Sequence, residues 1–246
     1  MYRYQILIEY VGTSFVGWQI QKKGKSIQKT IQLTLSNLLK QKIVLISAGR
    51  TDAGVHSTEQ SAHFDSKNKI QNIDKIIKSL NFFLNKKMIS IINIKKKNIN
   101  FHARYSAKER IYLYIINNRF STSTINKDRE WHIRKKLDIK LIRKGSKKLI
   151  GTHDFSTFRS SNCGAKSPVR TINKIIVSKS KDRIKLKFKS KSFLKNQVRS
   201  MVGCLKYLGE GKWDLKKFEA VFIKKDRKKV APPAPACGLY LEKIIY

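Results

Sequence analysis

Apolar and polar positions alternate from Tyr4 to Tyr10 among residues rich in β-formers, which predicts a strand, and Gly12 to Gly17 predicts a turn. Ser26 then stands as a helix N-cap, followed at helical spacing by Ile27, Ile31, Leu35 and Leu38. Ile43 to Ser47 predicts a second strand running into a glycine-flanked loop, and Ser61 to Phe64 a short strand leaving it. Asp74 to Leu84 reads as a helix and Ile89 to Ile94 as a strand.

The pattern then begins again. Arg110 to Ile116 alternates strongly and predicts a central strand, followed by a polar stretch from Asn117 to Lys127. Ile139 to Ile150 is helical in pattern, and Thr171 to Val177 with Arg183 to Phe188 forms a hairpin-like pair. Phe193 to Leu208 carries Leu194, Val198, Met201, Val202 and Leu205 on one helical face, and Trp213 to Phe222 predicts another helix. A proline-rich link, Ala231 to Ala236, leads to a last strand from Gly238 to Tyr246.

Two halves are expected, residues 1–105 and 106–246, with the boundary near Phe101 to Ala107. Several connections are too short for parallel crossovers. An α+β architecture with antiparallel or mixed sheets therefore fits better than a doubly wound parallel sheet. No clear internal sequence repeat is visible, although the similar order of elements suggests that the halves are structural relatives.

Charge changes the reading more than overall composition does. Of the 246 residues, 41% are hydrophobic, enough for a substantial core. Lys and Arg number 54 against 16 acidic residues, a formal net charge of +38. Such a chain favours a polyanionic partner, because each cation set beside a phosphate releases condensed counterions. Part of the excess follows the joint abundance of Lys, Ile and Asn, as A+T-rich coding would produce. No apolar run approaches the ~20 residues that span a bilayer, and the start is too short and alternating for a signal peptide. A cytoplasmic protein with no membrane role is the expectation.

Cys163, Cys204 and Cys237 are far apart, and neither they nor the five histidines show metal-binding spacing. Phosphate-binding glycine loops and dinucleotide fingerprints are also missing, so no metal and no cofactor is expected.

The strongest local signal is Gly49-Arg50-Thr51-Asp52-Ala53-Gly54-Val55-His56. Glycine permits backbone shapes that a side chain would block, and lets a bulky ligand approach. Arg50 and Asp52, two positions apart, could pair and keep the carboxylate ionised, as a nucleophile or base requires. By spacing alone, an Asp-Ala-Gly turn with a stabilising ion pair is the plainer reading.

This segment resembles the catalytic loop of the TruA family of tRNA pseudouridine synthases at every position. Glu9-Tyr10-Val11-Gly12 through Gly17-Trp18-Gln19, then Asn100 to Ala107 (Asn-Phe-His-Ala-Arg-Tyr-Ser-Ala), resemble further family segments. Gly151-Thr152-His153-Asp154-Phe155, Ser167 to Ile172, Gln197-Val198-Arg199 and Gly238 to Leu241 continue the likeness in the family's order. The resemblance implies a pseudouridine synthase fold whose halves form a central cleft. It implies that Asp52 is the catalytic aspartate, that Tyr112 lies against the target base and that Arg199 pairs with the catalytic carboxylate. Arg50 matches a residue near the flipped nucleotide, so it serves either the RNA or Asp52. Without the family, Tyr112 reads as a core aromatic of an alternating strand and Arg199 as an ordinary helical cation.

The implied activity is isomerisation of uridine to pseudouridine at positions 38, 39 and 40 of the tRNA anticodon stem-loop, by a homodimer. Composition alone supports a non-catalytic RNA-binding protein equally well. A synthase of the same chemistry acting on another RNA is a third reading. Two departures from the family bear on RNA affinity: relatives often carry more arginine near Phe193 to Gln197, and some have a longer tail.

Overall fold

A computed structural model describes residues 1–224 and 229–246. The chain divides into two compact units, Met1–Lys108 with Tyr240–Tyr246, and Glu109–Leu239.

In the first unit, strand β1 (Tyr2–Tyr10) lies between β3 (His56–Ser66) and β4 (Ile89–Lys97), antiparallel to both. The short β2 (Ile46–Ser47) pairs with β3, and β10 (Leu239–Ile245) runs parallel to β3 through Tyr240↔His56 and Leu241↔Ser57. Period-two alternation turns Tyr4, Ile6, Ile8 and Tyr10 to one face, where they are fully buried. Helices α1 (Ile27–Leu39) and α2 (Ile73–Leu84) supply that core with Ile27, Ile31, Leu35, Leu80 and Leu84. Ser26 caps α1 as expected, its side chain accepting from the Lys29 amide at 3.3 Å.

Two expectations are corrected here. Ile43 to Leu45 is not strand, because the side chains of α1 take up its backbone groups. The Ile43 amide donates to Ser36 Oγ, the Leu45 amide to Gln32 Oε1, and Gln28 Nε2 donates to the Leu45 carbonyl. The short strand expected at Ser61 to Phe64 is instead an eleven-residue strand, β3. Its buried positions include His56, Ser57, Gln60, Ser61, His63 and Ser66, polar residues that hide a core strand from any hydrophobic pattern. Many are satisfied locally: Gln5 Nε2 and Tyr246 Oη donate to Ser61 Oγ, and Ser57 Oγ donates to the Leu241 carbonyl.

In the second unit, β5 (Glu109–Asn117), β9 (Arg183–Ser190), β8 (Val169–Ser180) and β7 (Gly151–Asp154) pair antiparallel in that spatial order. The short β6 (Trp131–His132) runs parallel to β5. Helices α3 (Ile139–Lys148), α4 (Gln197–Gly209) and α5 (Leu215–Ile223) pack together through Ile142, Leu205, Leu208 and Phe218. The helix expected from Phe193 starts only at Gln197. Asn196 adopts a left-handed backbone, and Gln197 Oε1 takes the Leu194 amide at 2.7 Å. Antiparallel pairing with two short parallel contacts makes the architecture α+β with mixed sheets. Among the described residues, no helix is long and apolar enough to cross a membrane.

Candidate active site

Asp52 sits in the first unit, half-buried in a loop with almost no regular structure of its own. Three sets of contacts hold that loop, and together they account for the segments around it.

The first set comes from the end of β1 and the turn after it. The Tyr10 hydroxyl and Thr51 Oγ1 share a hydrogen bond of 2.8 Å, and the Trp18 amide donates to the Thr51 carbonyl at 3.0 Å. Thr51, immediately before Asp52, is thus fixed by both side chain and backbone. The second set is close backbone approach. A Cβ at Gly12 would overlap the Val55 carbonyl, and one at Gly17 would lie 2.7 Å from the Thr51 carbonyl oxygen. Gly17 also has φ +107°, a backbone shape that side-chain-bearing residues rarely adopt. The glycines at 12 and 17 therefore let one turn lie directly on the Asp52 loop.

The third set closes the loop onto β3. The Val55 amide donates to the Asp52 carbonyl at 3.2 Å, closing a turn across Ala53-Gly54. Gln60 Nε2 donates to the Gly49 carbonyl at 2.8 Å, and the Ala48 amide to the Ser61 carbonyl at 2.8 Å. His56 is buried, with Nδ1 accepting from the Gly12 amide at 3.0 Å and its ring 4.8 Å from that of Tyr240. A ring nitrogen that accepts from an amide carries no proton, so His56 acts here as a neutral brace rather than a cation. Arg50 lies in the same loop and is exposed.

The other two residues picked out by the sequence lie in the second unit. Tyr112 is on β5 opposite Phe188 of β9, largely buried, with the Phe193 ring edge-on to it at 5.1 Å. Tyr114, two residues on and on the same face, donates its hydroxyl to the Pro235 carbonyl at 2.8 Å, and burial pushes its phenol pKa up. Arg199 lies in the first turn of α4, half-buried beside Val198. Its Nε donates to the Ala234 carbonyl at 2.7 Å and its Nη1 to Asn196 Oδ1 at 3.3 Å. The Ala234 amide returns a bond to the Arg199 carbonyl at 3.0 Å, so the proline-rich segment clips onto the helix from both sides. A Cβ at Gly203, one turn further along, would overlap the Pro232 carbonyl, which is why the segment can lie so close.

The bracing residues Tyr10, Thr51, Gln60 and His56 were not readable as such. Tyr10, Thr51 and His56 lie in segments that resemble the family and Gln60 lies just beyond the loop, but nothing in their spacing tells that they brace it. Among the described residues, no group of three or more His, Cys, Asp or Glu side chains is placed to hold a metal ion.

A family model described as tRNA pseudouridine synthase matches residues 6–106 and again residues 146–246. The two matches make the halves of the chain related repeats, although their sequences show no evident likeness to the eye. The tRNA pseudouridine synthase A of Pelagibacter ubique is 64% identical over 246 residues, covering all of both chains. That of Neorickettsia sennetsu is 42% identical over 244 residues, 99% of this chain and 100% of the relative. That of Parvibaculum lavamentivorans is 40% identical over 246 residues, again all of both chains. The chain belongs to the tRNA pseudouridine synthase family, isomerases that convert uridine in tRNA to pseudouridine.

Proposed function

We propose that this chain isomerises uridine at positions 38, 39 and 40 of the tRNA anticodon stem-loop, acting in the cytoplasm as a homodimer with Asp52 as the catalytic carboxylate. Residues 1–105 supply Asp52 and Arg50, and residues 106–246 supply Tyr112 and Arg199. The observation that best supports the reading is the Gly49–His56 loop. A half-buried carboxylate is carried there on a backbone pinned at Gly49, Thr51 and Asp52 and braced by the His56 ring, within a chain matched to the family along both halves.

The chemistry asks for such a support. The N1–C1′ bond must break, the base must turn, C5 must bond to C1′, and C5 must give up its proton while N1 gains one. No net oxidation occurs. A stacked uridine is out of reach, so the nucleotide is first flipped out at a cost of a few kcal/mol, which phosphate contacts to the basic surface offset. Asp52 then acts on the sugar, as nucleophile at C1′ or as base at C2′. Tyr112 lies against the extruded base, where stacking contributes about 1–3 kcal/mol, and takes part in loss of the C5 proton. Arg199, whose Nε and Nη1 donate to the Ala234 carbonyl and Asn196 Oδ1, is the cation that serves the catalytic carboxylate. Arg50, exposed on the Asp52 loop, contacts the RNA near the flipped nucleotide.

Transfer RNA labelled with tritium at uridine C5 tests this directly. The protein is expected to release tritium and leave pseudouridine at 38, 39 or 40. Release with the product at other positions would reassign the substrate, and no release from any tRNA would sink the enzymatic reading.

A further inference from the structure

A groove of about 740 Å³ opens in the first unit beside the start of α1. Its walls are the turn at Ser14 and Phe15, the outer side of α1 at Lys29, Thr30 and Thr34, and the turn Lys86 to Met88 after α2. A second hollow of about 250 Å³ continues it, sharing Thr34, Asn37 and Lys87 and adding Leu38 and Phe83. Four lysines line the larger hollow, Lys25, Lys29, Lys86 and Lys87, and no acidic residue lines either.

That one-sided charge runs through the sequence that builds the groove. No acidic residue occurs between Glu9 and Asp52, nor between Asp74 and Glu109. The first turn of α1 lacks the acid that a helix N-terminus favours, and instead contains Lys29 and follows closely on Lys25. Elsewhere lysines find carboxylates, as in Lys148–Glu219 and Lys206–Glu210, both 2.8 Å. Among the described residues, none of the four groove lysines has an acidic partner. Like charges gathered on a concave wall repel one another until an anion neutralises them.

Aromatic surface lies beside the lysines. Phe82 is 65% exposed and Phe83 47% exposed, their rings edge-on at 5.1 Å, and Lys86 Nζ stands 5.3 Å over the Phe82 ring. Lysines that can reach phosphates, interleaved with exposed rings that can take a base, make up the surface that single-stranded nucleic acid recognises.

We propose that this groove is a second RNA-binding surface, holding the phosphodiester backbone of a tRNA strand on Lys25, Lys29, Lys86 and Lys87, with Phe82 and Phe83 offered to a base. The proposal rests on tRNA being the substrate. A second copy of the chain fits the groove poorly, because a two-fold contact through this patch would set the same lysines against each other.

The test replaces all four lysines by alanine and measures tRNA affinity against a control in which Lys140, Lys144, Lys147 and Lys179, exposed in the second unit, are replaced instead. Both variants lose the same charge. The groove variant is expected to bind tRNA about tenfold or more weakly, with a log affinity against log salt slope shallower by about 2 to 4. The control is expected to change less than threefold. Replacing the four lysines by arginine should keep wild-type affinity. Equal losses in groove and control variants would overturn the proposal, as would weakened binding in the arginine variant. A changed oligomeric state with unchanged tRNA affinity would also overturn it, assigning the groove to a second copy. Binding is read apart from tritium release, so tRNA binding without release would fail the enzymatic reading and leave the groove assignment intact.

Discussion

The loop that carries Asp52 and the helix that carries Arg199 are both held by close backbone approach, yet their supports differ in kind. Asp52 has no regular element beneath it. Its position follows from single contacts, a hydroxyl on Thr51, amides on Thr51 and Asp52, and two glycines that admit a neighbouring turn. Arg199 is carried on α4, whose Val198, Met201, Val202 and Leu205 are buried in the second unit's core. There the proline-rich segment sets the direction of the guanidinium and clips onto the helix backbone. The loop can therefore be displaced while the fold survives, whereas damage at α4 registers first as lost stability. That difference yields a graded set of tests.

Among changes to the supports of the two regions, the largest effect is expected from Gly12→Ala. The added Cβ must push the Val55 carbonyl, and the Asp52 loop with it. A displacement near 1 Å costs about 100-fold in rate, read as kcat/KM for tritium release by folded protein. Near-normal activity would show that the loop tolerates the shift and would remove the basis of the comparison.

Gly203→Ala should behave oppositely. Its Cβ meets the Pro232 carbonyl, and forcing room in a packed site costs about 1–3 kcal/mol, visible in the urea midpoint. Activity per folded molecule should change only a few-fold. A large loss of activity without loss of stability would mean that the clip on α4 acts like the Asp52 loop.

His63 separates the body of the first unit from its loop. Burial, helped by the nearby Arg3 and His102 charges and opposed by Asp65, lowers its pKa to about 4. Its Nδ1 also accepts from the Ala103 amide at 3.1 Å, a bond that protonation would break. The unfolded chain therefore binds the extra proton first. Stability is full above the ordinary histidine pKa of 6.5 and falls as pH drops from there toward about 4, by about 1–3 kcal/mol. Urea midpoints at pH 7 and 4.5 should show that fall in wild type and a smaller one in His63→Gln.

The smallest effect is expected from Tyr10→Phe. It removes the bond to Thr51 Oγ1, worth about 1 kcal/mol, and should lower kcat/KM a few-fold. An effect as large as that of Gly12→Ala would make the hydroxyl, rather than the glycine contact, the main brace.

Legibility followed the same division. Where burial is apolar and periodic, as in α1, β5 and the β8–β9 hairpin, the pattern of side chains predicts the element. Of β3 only Ser61 to Phe64 is legible, because much of its buried face is built from His, Ser and Gln that hydrogen-bond across the sheet, which looks like surface in a sequence. Ile43 to Leu45 misled in the other direction, since nothing in its apolar pattern tells that Gln28, Gln32 and Ser36 will take its backbone groups. At the candidate site, the glycine-bracketed loop is visible in the sequence, but only likeness to a family ranks Asp52 above a turn residue. The contacts that hold it, Gly12 against Val55 and Gly17 against Thr51, join residues more than thirty positions apart and leave no mark on local spacing.

The most direct measurement compares tritium release from C5-labelled tRNA by wild type and Asp52→Asn in a single turnover. The exchange keeps the side chain's size and removes only its charge. Release is expected to fall by about a thousandfold or more, with tRNA affinity within a few-fold and the urea midpoint unchanged. Release at the wild-type rate would contradict the assignment of Asp52 and leave its braced loop without the role proposed for it.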